Sequence, residues 1–131
     1  MTDFAHLQLP AEPTVLAPDG SQVRVLLSLA GASMAHFQLP AGAVAKAVVH
    51  RSVEELWFIV SGHGQMWRRQ PDGREQVLDL QPGLSLSIPV GTQFQFRADQ
   101  AASLAAVAIT MPPWPGMQEA QPVTGPWEAT V

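Results

Sequence analysis

The stretch "HRSVEELWFIVSGHG", His50 to Gly64, sets an imidazole five positions ahead of a carboxylate, Glu55, and follows it with an aromatic run and a glycine turn. An imidazole and a carboxylate can share a divalent metal, or act as general base and orienting partner in proton abstraction, isomerisation or elimination. If Glu55 faces inward from a strand, alternation turns Trp57 and Ile59 inward with it, and desolvation against the indole raises the carboxyl pKa. His36 in "SMAHFQLPAG" shares parity with Met34 and Gln38. On an inward face it would complete a set of His36, His50 and Glu55, the composition of non-haem iron sites with two histidines and a carboxylate. The competing roles are a buried ion pair for His50 and Glu55, and a histidine satisfied by backbone or water for His36.

Other candidates divide by parity. Glu54 and Glu55 point to opposite sides of a strand, which speaks against a pair of carboxylates acting together as in glycosidases. Arg68 and Arg69 also diverge, so at most one could enter a cavity and bind a carboxylate or phosphate; the alternative is a hairpin arm with both charges in water. His63 sits in a glycine turn and His6 in the leading segment; neither is assigned a role. Trp57, Trp67, Phe94 and Phe96, with His36, are candidates to line a pocket for a flat, largely apolar molecule. Equally, such side chains can simply fill a small barrel.

These groups need a scaffold, and 131 residues suffice for one compact domain. Apolar residues make up 47% and charged residues 14%, favouring burial over disorder, while 12 prolines and 10 glycines interrupt the chain too often for long helices. Val23, Val25, Leu27 and Leu29 share one parity, "LSLSI" alternates, and so does "TQFQF", as expected of strands with one buried face. Further strands are predicted over 33–39, 44–49, 55–61, 65–69, 76–80 and 103–111. Between them "APDGS", "LPAGA", "SGHG", "QPDGR", "QPGL" and "PVGT" supply turn residues. Ser52 with Glu55 is also a helix capping-box pattern. The run Trp57 to Val60 and the stop at "SGHG" overrule it in favour of a strand. The tail from Pro112 holds five prolines and two tryptophans and is expected to be an extended strap with its indoles pinned on the barrel.

The formal charge of −4 and the absence of a basic cluster beyond Arg68 and Arg69 speak against a nucleic-acid partner. With no cysteine, neither a disulfide nor a thiolate metal site nor a cysteine nucleophile is available. "MTDFAHLQLP" lacks the basic and apolar regions of a secretory signal, and Val25 to Ala45 is too interrupted for a membrane span. A cytoplasmic protein with no membrane partner is expected.

Two spacings carry a family resemblance. His50, four residues, Glu55, six residues and Gly62 form the first; Gly83, five residues, Pro89, one residue, Gly91, two residues and Phe94 form the second. Over roughly the central half of the chain they resemble the two motifs of the cupin superfamily, small β-barrels of jelly-roll type. In metal-binding cupins three histidines and a glutamate hold iron, manganese, nickel, copper or zinc. Here His50 and Glu55 match that set, whereas Val48 and Phe94 stand where the other two motif histidines would, and Ala98 stands where an asparagine often follows. One imidazole and one carboxylate would hold a divalent metal weakly.

The resemblance implies an all-β, single-domain cupin barrel over 1–131, with an arm from Met1 to about Ala11, a barrel core at about 12–111 and a strap over 112–131. It also implies a homodimer, through exchanged terminal strands or sheet edges. Two functional readings follow. The first is a protein that binds a small organic molecule in an aromatic-lined cavity, with an incomplete metal centre and no cofactor. The alternative is an isomerase, lyase or dioxygenase-like enzyme using His50 and Glu55, with a divalent metal (Fe, Mn, Ni or Zn) completed by His36. A purely structural or regulatory role is a third, without a helix-turn-helix module to support it.

Overall fold

The computed structural model describes residues 2–131; Met1, where the expected arm begins, lies outside the described residues. The chain builds two antiparallel sheets. The first has six strands in the order β1 (Val15–Leu16), β2 (Gln22–Leu29), β3 (Ala32–Leu39), β10 (Leu104–Met111), β5 (Glu54–Ser61) and β8 (Ser85–Ile88). The second has five: β11 (Ala120–Pro122), β4 (Val48–His50), β9 (Gln93–Ala98), β6 (Gly64–Arg69) and β7 (Glu75–Leu80). This is the expected all-β jelly-roll barrel. Among the described residues no helix is long and apolar enough to cross a membrane.

Alternation decides what each strand gives to the interior. On β5, Glu55, Trp57 and Ile59 are buried, while Glu54, Leu56, Phe58 and Val60 are exposed. The capping-box residue Ser52 does not start a helix. Its amide and hydroxyl instead donate to the carboxylate of Glu119, from the far end of the chain. The turn after β5 requires glycine at Gly62, where φ is 80° and an added Cβ would stand 2.1 Å from the Ser103 carbonyl oxygen. Gly91, in the second motif, also takes positive φ, at 81°.

Two expectations need correction. The common parity of Val23, Val25, Leu27 and Leu29 breaks, because Val25 pairs with Ala35 but Ser28 pairs with Ser33. The extra residue on β2 is a β-bulge, which carries Ser28 to the inner face and leaves Leu27 and Leu29 exposed. The strand expected over 44–49 is interrupted: Val44 forms an isolated bridge to Arg97, and β4 begins only at Val48.

The segment after Met111 is not extended throughout, as a strap was expected to be: it makes one 3-10 turn at Met117–Glu119 and then joins the sheet, where β11 pairs with β4, Ala120 opposite His50. Side-chain and backbone bonds hold it along its length. Glu119 accepts from the Ser52 amide at 2.5 Å, the Ser52 hydroxyl at 2.9 Å and the Val53 amide at 2.8 Å. Buried Gln95 donates to the carbonyl of Trp127 and accepts from its amide. The Arg97 guanidinium lies 4.1 Å from the Trp127 ring centroid.

Candidate functional site

A cavity of about 260 Å³ opens toward one end of the barrel, between the inner faces of the two sheets and under the start of the strap. β4 brings His50 to it, β5 brings Glu55 and Trp57, and β9 brings Phe94. Phe37 on β3 stacks on Trp57 with centroids 5.2 Å apart and planes 10° apart, forming one flat apolar wall. Trp114, the first indole of the strap, closes over the imidazole of His50 edge-on at 5.4 Å, and Phe94 meets that ring from another side at 5.2 Å. The amide of Trp114 donates to the Ser33 hydroxyl, so a β3 side chain fixes this lid residue in place.

Polar groups gather at the floor. Nδ1 of His50 stands 3.8 Å from Oε1 of Glu55, beyond hydrogen-bond reach, and this buried nitrogen has no partner. Glu55 accepts from the Thr110 hydroxyl at 2.6 Å and from the Trp57 indole nitrogen at 3.3 Å. Burial pushes the Glu55 carboxyl up from its ordinary range, against the pull of Thr110 and Trp57. Burial likewise pushes the His50 imidazole down, against the attraction of Glu119 and Asp19. Burial disfavours the charged form of each, and at 3.8 Å the two are not hydrogen-bonded to one another.

A third group joins them that the sequence did not single out. Asp19 of the turn "APDGS" is buried at the cavity and accepts from both the amide (2.9 Å) and the hydroxyl (2.6 Å) of Ser21. Burial raises its pKa more than Ser21 lowers it, with Glu55 adding to the rise. The only local signal is an Asp-Gly turn, and the chain has a second one at Asp72, which is half exposed and paired with Arg74. What distinguishes Asp19 is long-range: the carboxyl-terminal residue Val131 packs on Gly20, within 2.8 Å of where a Cβ would stand.

Of the expected pocket residues, Trp57 and Phe94 line the cavity, as do His50 and Glu55. Phe96 points inward but lies deeper, edge-on to Trp57 at 5.0 Å, as core. Trp67 faces the other side of its sheet: it is opposite Gln95 in register, while its neighbour Met66 pairs with Phe96 on the inner face. His36 also takes the opposite side from the one the facial set needs. Ala35 and Phe37 line the cavity, so His36 between them projects outward, in register with Arg24 and Val107. Its Nδ1 is buried without a partner there.

The residues present therefore do not fit an ordinary cupin metal. Val48 and Phe94 lie opposite one another in register where two more ligands would be needed, and both occupy the cavity wall with hydrocarbon. His36 cannot complete the set from the outer face. Among the described residues no three of histidine, cysteine, aspartate and glutamate converge closely enough to hold an ion.

No family model matches the chain. It is 32% identical over 76 residues to the acireductone dioxygenase of Exiguobacterium sibiricum, an alignment covering 56% of this chain and 42% of that protein. The chain thus spans less than half the length of this curated relative. Among solved structures, an oxalate decarboxylase variant of Bacillus subtilis superposes with a TM-score of 0.75 at 12% identity, over 93% of this chain and 34% of that one. The coconut allergen cocosin gives 0.68 at 19% identity, over 79% and 29%. A Bacillus halodurans protein, BH2720, gives 0.65 at 17% identity over 72% of each chain. With its two turn motifs in place, the chain has the β-barrel fold of these structures. Its site differs from the cupin motifs that it resembles by hydrocarbon at Val48 and Phe94, where those motifs place histidines.

Proposed function

We propose that this protein binds a small, largely apolar organic molecule in the mouth of its barrel. The observation that carries the reading is the cavity of about 260 Å³, walled by aromatic and aliphatic side chains with its few polar groups gathered at the floor. That is the usual character of a small-molecule site. A space of roughly 150 Å³ is enough for benzene, so one substituted ring or two fused rings suit this one. A titration with naphthalene, followed through the fluorescence of Trp57 and Trp114, tests the reading. Saturable binding is expected, and Ala35→Phe, which fills the cavity from β3, should abolish it. Absence of saturation, or binding unaffected by Ala35→Phe, would contradict it.

Catalysis is a second reading, supported by the convergence of His50, Glu55 and Asp19 and by relatives named as a dioxygenase and a decarboxylase. His50 and Glu55 would then work as a proton-transfer pair. Under this reading Glu55→Gln removes any turnover while the fold survives.

Two copies of the chain are proposed to pair through the outer face of the six-stranded sheet. Leu56, Phe58 and Val60 of β5, with Met34 of β3 and Leu27 and Leu29 of β2, are 39–71% exposed there. Register lines Phe58, Val107 and His36 in one row and Leu56, Ile109 and Met34 in the next. The apolar area is on the order of 600 Å², at the top of the range for the largest patch on a monomer and approaching one side of a standard interface. Charge on this face lies toward its edges, at Arg24 beside His36 and at Glu54 where β5 begins, and the rows between them are mostly hydrocarbon.

A further inference from the structure

The gap between His50 and Glu55 defines which polar group the bound molecule carries. We infer that the cavity selects a neutral hydroxyl attached to a flat ring, a phenol or enol, with its oxygen seated between Nδ1 of His50 and Oε1 of Glu55. This rests on the pocket reading above and narrows it.

Geometry comes first. The two atoms are 3.8 Å apart, too far to bond to one another. A single oxygen about 2.8 Å from each closes the gap at roughly a right angle. Such an oxygen also gives the buried Nδ1 the partner it lacks. Phe94 and Trp114 pack edge-on against the imidazole, with centroids 5.2 and 5.4 Å from it.

The identity of the group follows from what the two atoms offer. Nδ1 is a donor or an acceptor according to tautomer, and Oε1 is an acceptor when ionised. A hydroxyl both donates and accepts, so it satisfies the pair whenever one of the two atoms carries the hydrogen: Nδ1–H beside an ionised Glu55, or a bare Nδ1 beside a protonated one. With one hydrogen shared between the two atoms, an ether or carbonyl supplies no donor for the atom that lacks it, and an ammonium supplies no acceptor for the atom that carries it. A carboxylate on the ligand would meet Glu55 and Asp19 with no lysine or arginine lining the cavity to offset them. The stacked Phe37 and Trp57 form a planar wall that suits the flat ring carrying the hydroxyl.

Four matched probes separate the possibilities: β-naphthol, its methyl ether, naphthalene and β-naphthoate, each titrated calorimetrically into the full chain at neutral pH. β-Naphthol is expected to bind about tenfold or more tighter than the ether and naphthalene, the worth of a buried hydrogen-bonded group, with naphthoate weakest. His50→Phe should bring naphthol and its ether to equal affinity while naphthalene still binds. If that variant does not fold, Glu55→Gln, which removes the ionisable oxygen and keeps the shape, should likewise narrow the preference. Equal binding of naphthol and its ether by the unaltered protein would overturn the hydroxyl assignment and leave the pocket reading intact, as would tightest binding by naphthoate. If none of the four binds, the pocket reading itself falls, and this inference with it.

Discussion

Two residues at the cavity floor carry opposite pH signatures. The His50 imidazole is held by burial below its ordinary 6.5, so the unfolded chain takes up a proton more readily than the folded one. Its contribution to stability therefore falls as pH drops below about 6.5. The Glu55 carboxyl is held by burial above its ordinary 4.5, so the folded chain binds the proton more readily, and stability falls as pH rises from 4.5 through the raised value. Melting temperatures measured from pH 4 to 9 should show His50→Phe removing the loss that sets in below about pH 6.5 and Glu55→Gln removing the loss that sets in above pH 4.5. Any constant offset from the lost bonds of Thr110 and Trp57 leaves those slopes unaffected. A Glu55→Gln profile parallel to that of the unaltered protein at every pH would contradict this account of the carboxyl. At this scale His50, Glu55, Trp57 and Phe94 were legible from spacing and parity, because an alternating strand orients each side chain relative to its neighbours. Asp19 was not legible, because the turns at Asp19 and Asp72 are locally alike and only distant packing buries one of them.

Among the elements, the strap is the one that shapes the site. Its first indole, Trp114, covers His50, and its Glu119 takes three donors from the β4–β5 connection. Burial raises the cost of the Glu119 charge, but the donors of Ser52 and Val53 outweigh it and hold the carboxyl below its ordinary range. Glu119→Ala leaves those donors without their acceptor, and a loss of roughly 2–4 kcal/mol is expected. Denaturant unfolding measures it, and a change under about 0.5 kcal/mol would show that the fastening carries no weight. Naphthalene binding should weaken in the same variant as Trp114 loses its support. The composition of the tail predicted an extended strap, but not the seating of Ala120 opposite His50, since short strand pairing depends on the partner edge more than on local preference. His36 and Trp67 show the matching limit from the other side. A parity pattern says which residues share a face, and only the assembled barrel says which face is inside.

At the scale of the whole molecule, one sheet face encloses a cavity and the opposite face presents hydrocarbon to solvent. Sedimentation velocity at tens of micromolar protein should find a dimer, and Phe58→Glu, at the centre of the apolar rows, should shift it to monomer without lowering the melting temperature of the monomer. A dimer unaffected by Phe58→Glu would place the contact elsewhere. The turn residues and short alternating strands pointed to a sandwich or barrel, and the resemblance of the two motifs narrowed that to a jelly-roll barrel. The bulge in β2 was not legible, since one extra residue reverses every later side chain without changing composition.

The central claim is that the barrel holds a small aromatic molecule over His50 and Glu55. A crystal grown with β-naphthol tests it most directly. The account predicts density for the ring beside the Phe37–Trp57 wall, with its oxygen within hydrogen-bond distance of His50 Nδ1. A cavity collapsed around Trp114 and Phe94, with the molecule absent at saturating concentration, would contradict it.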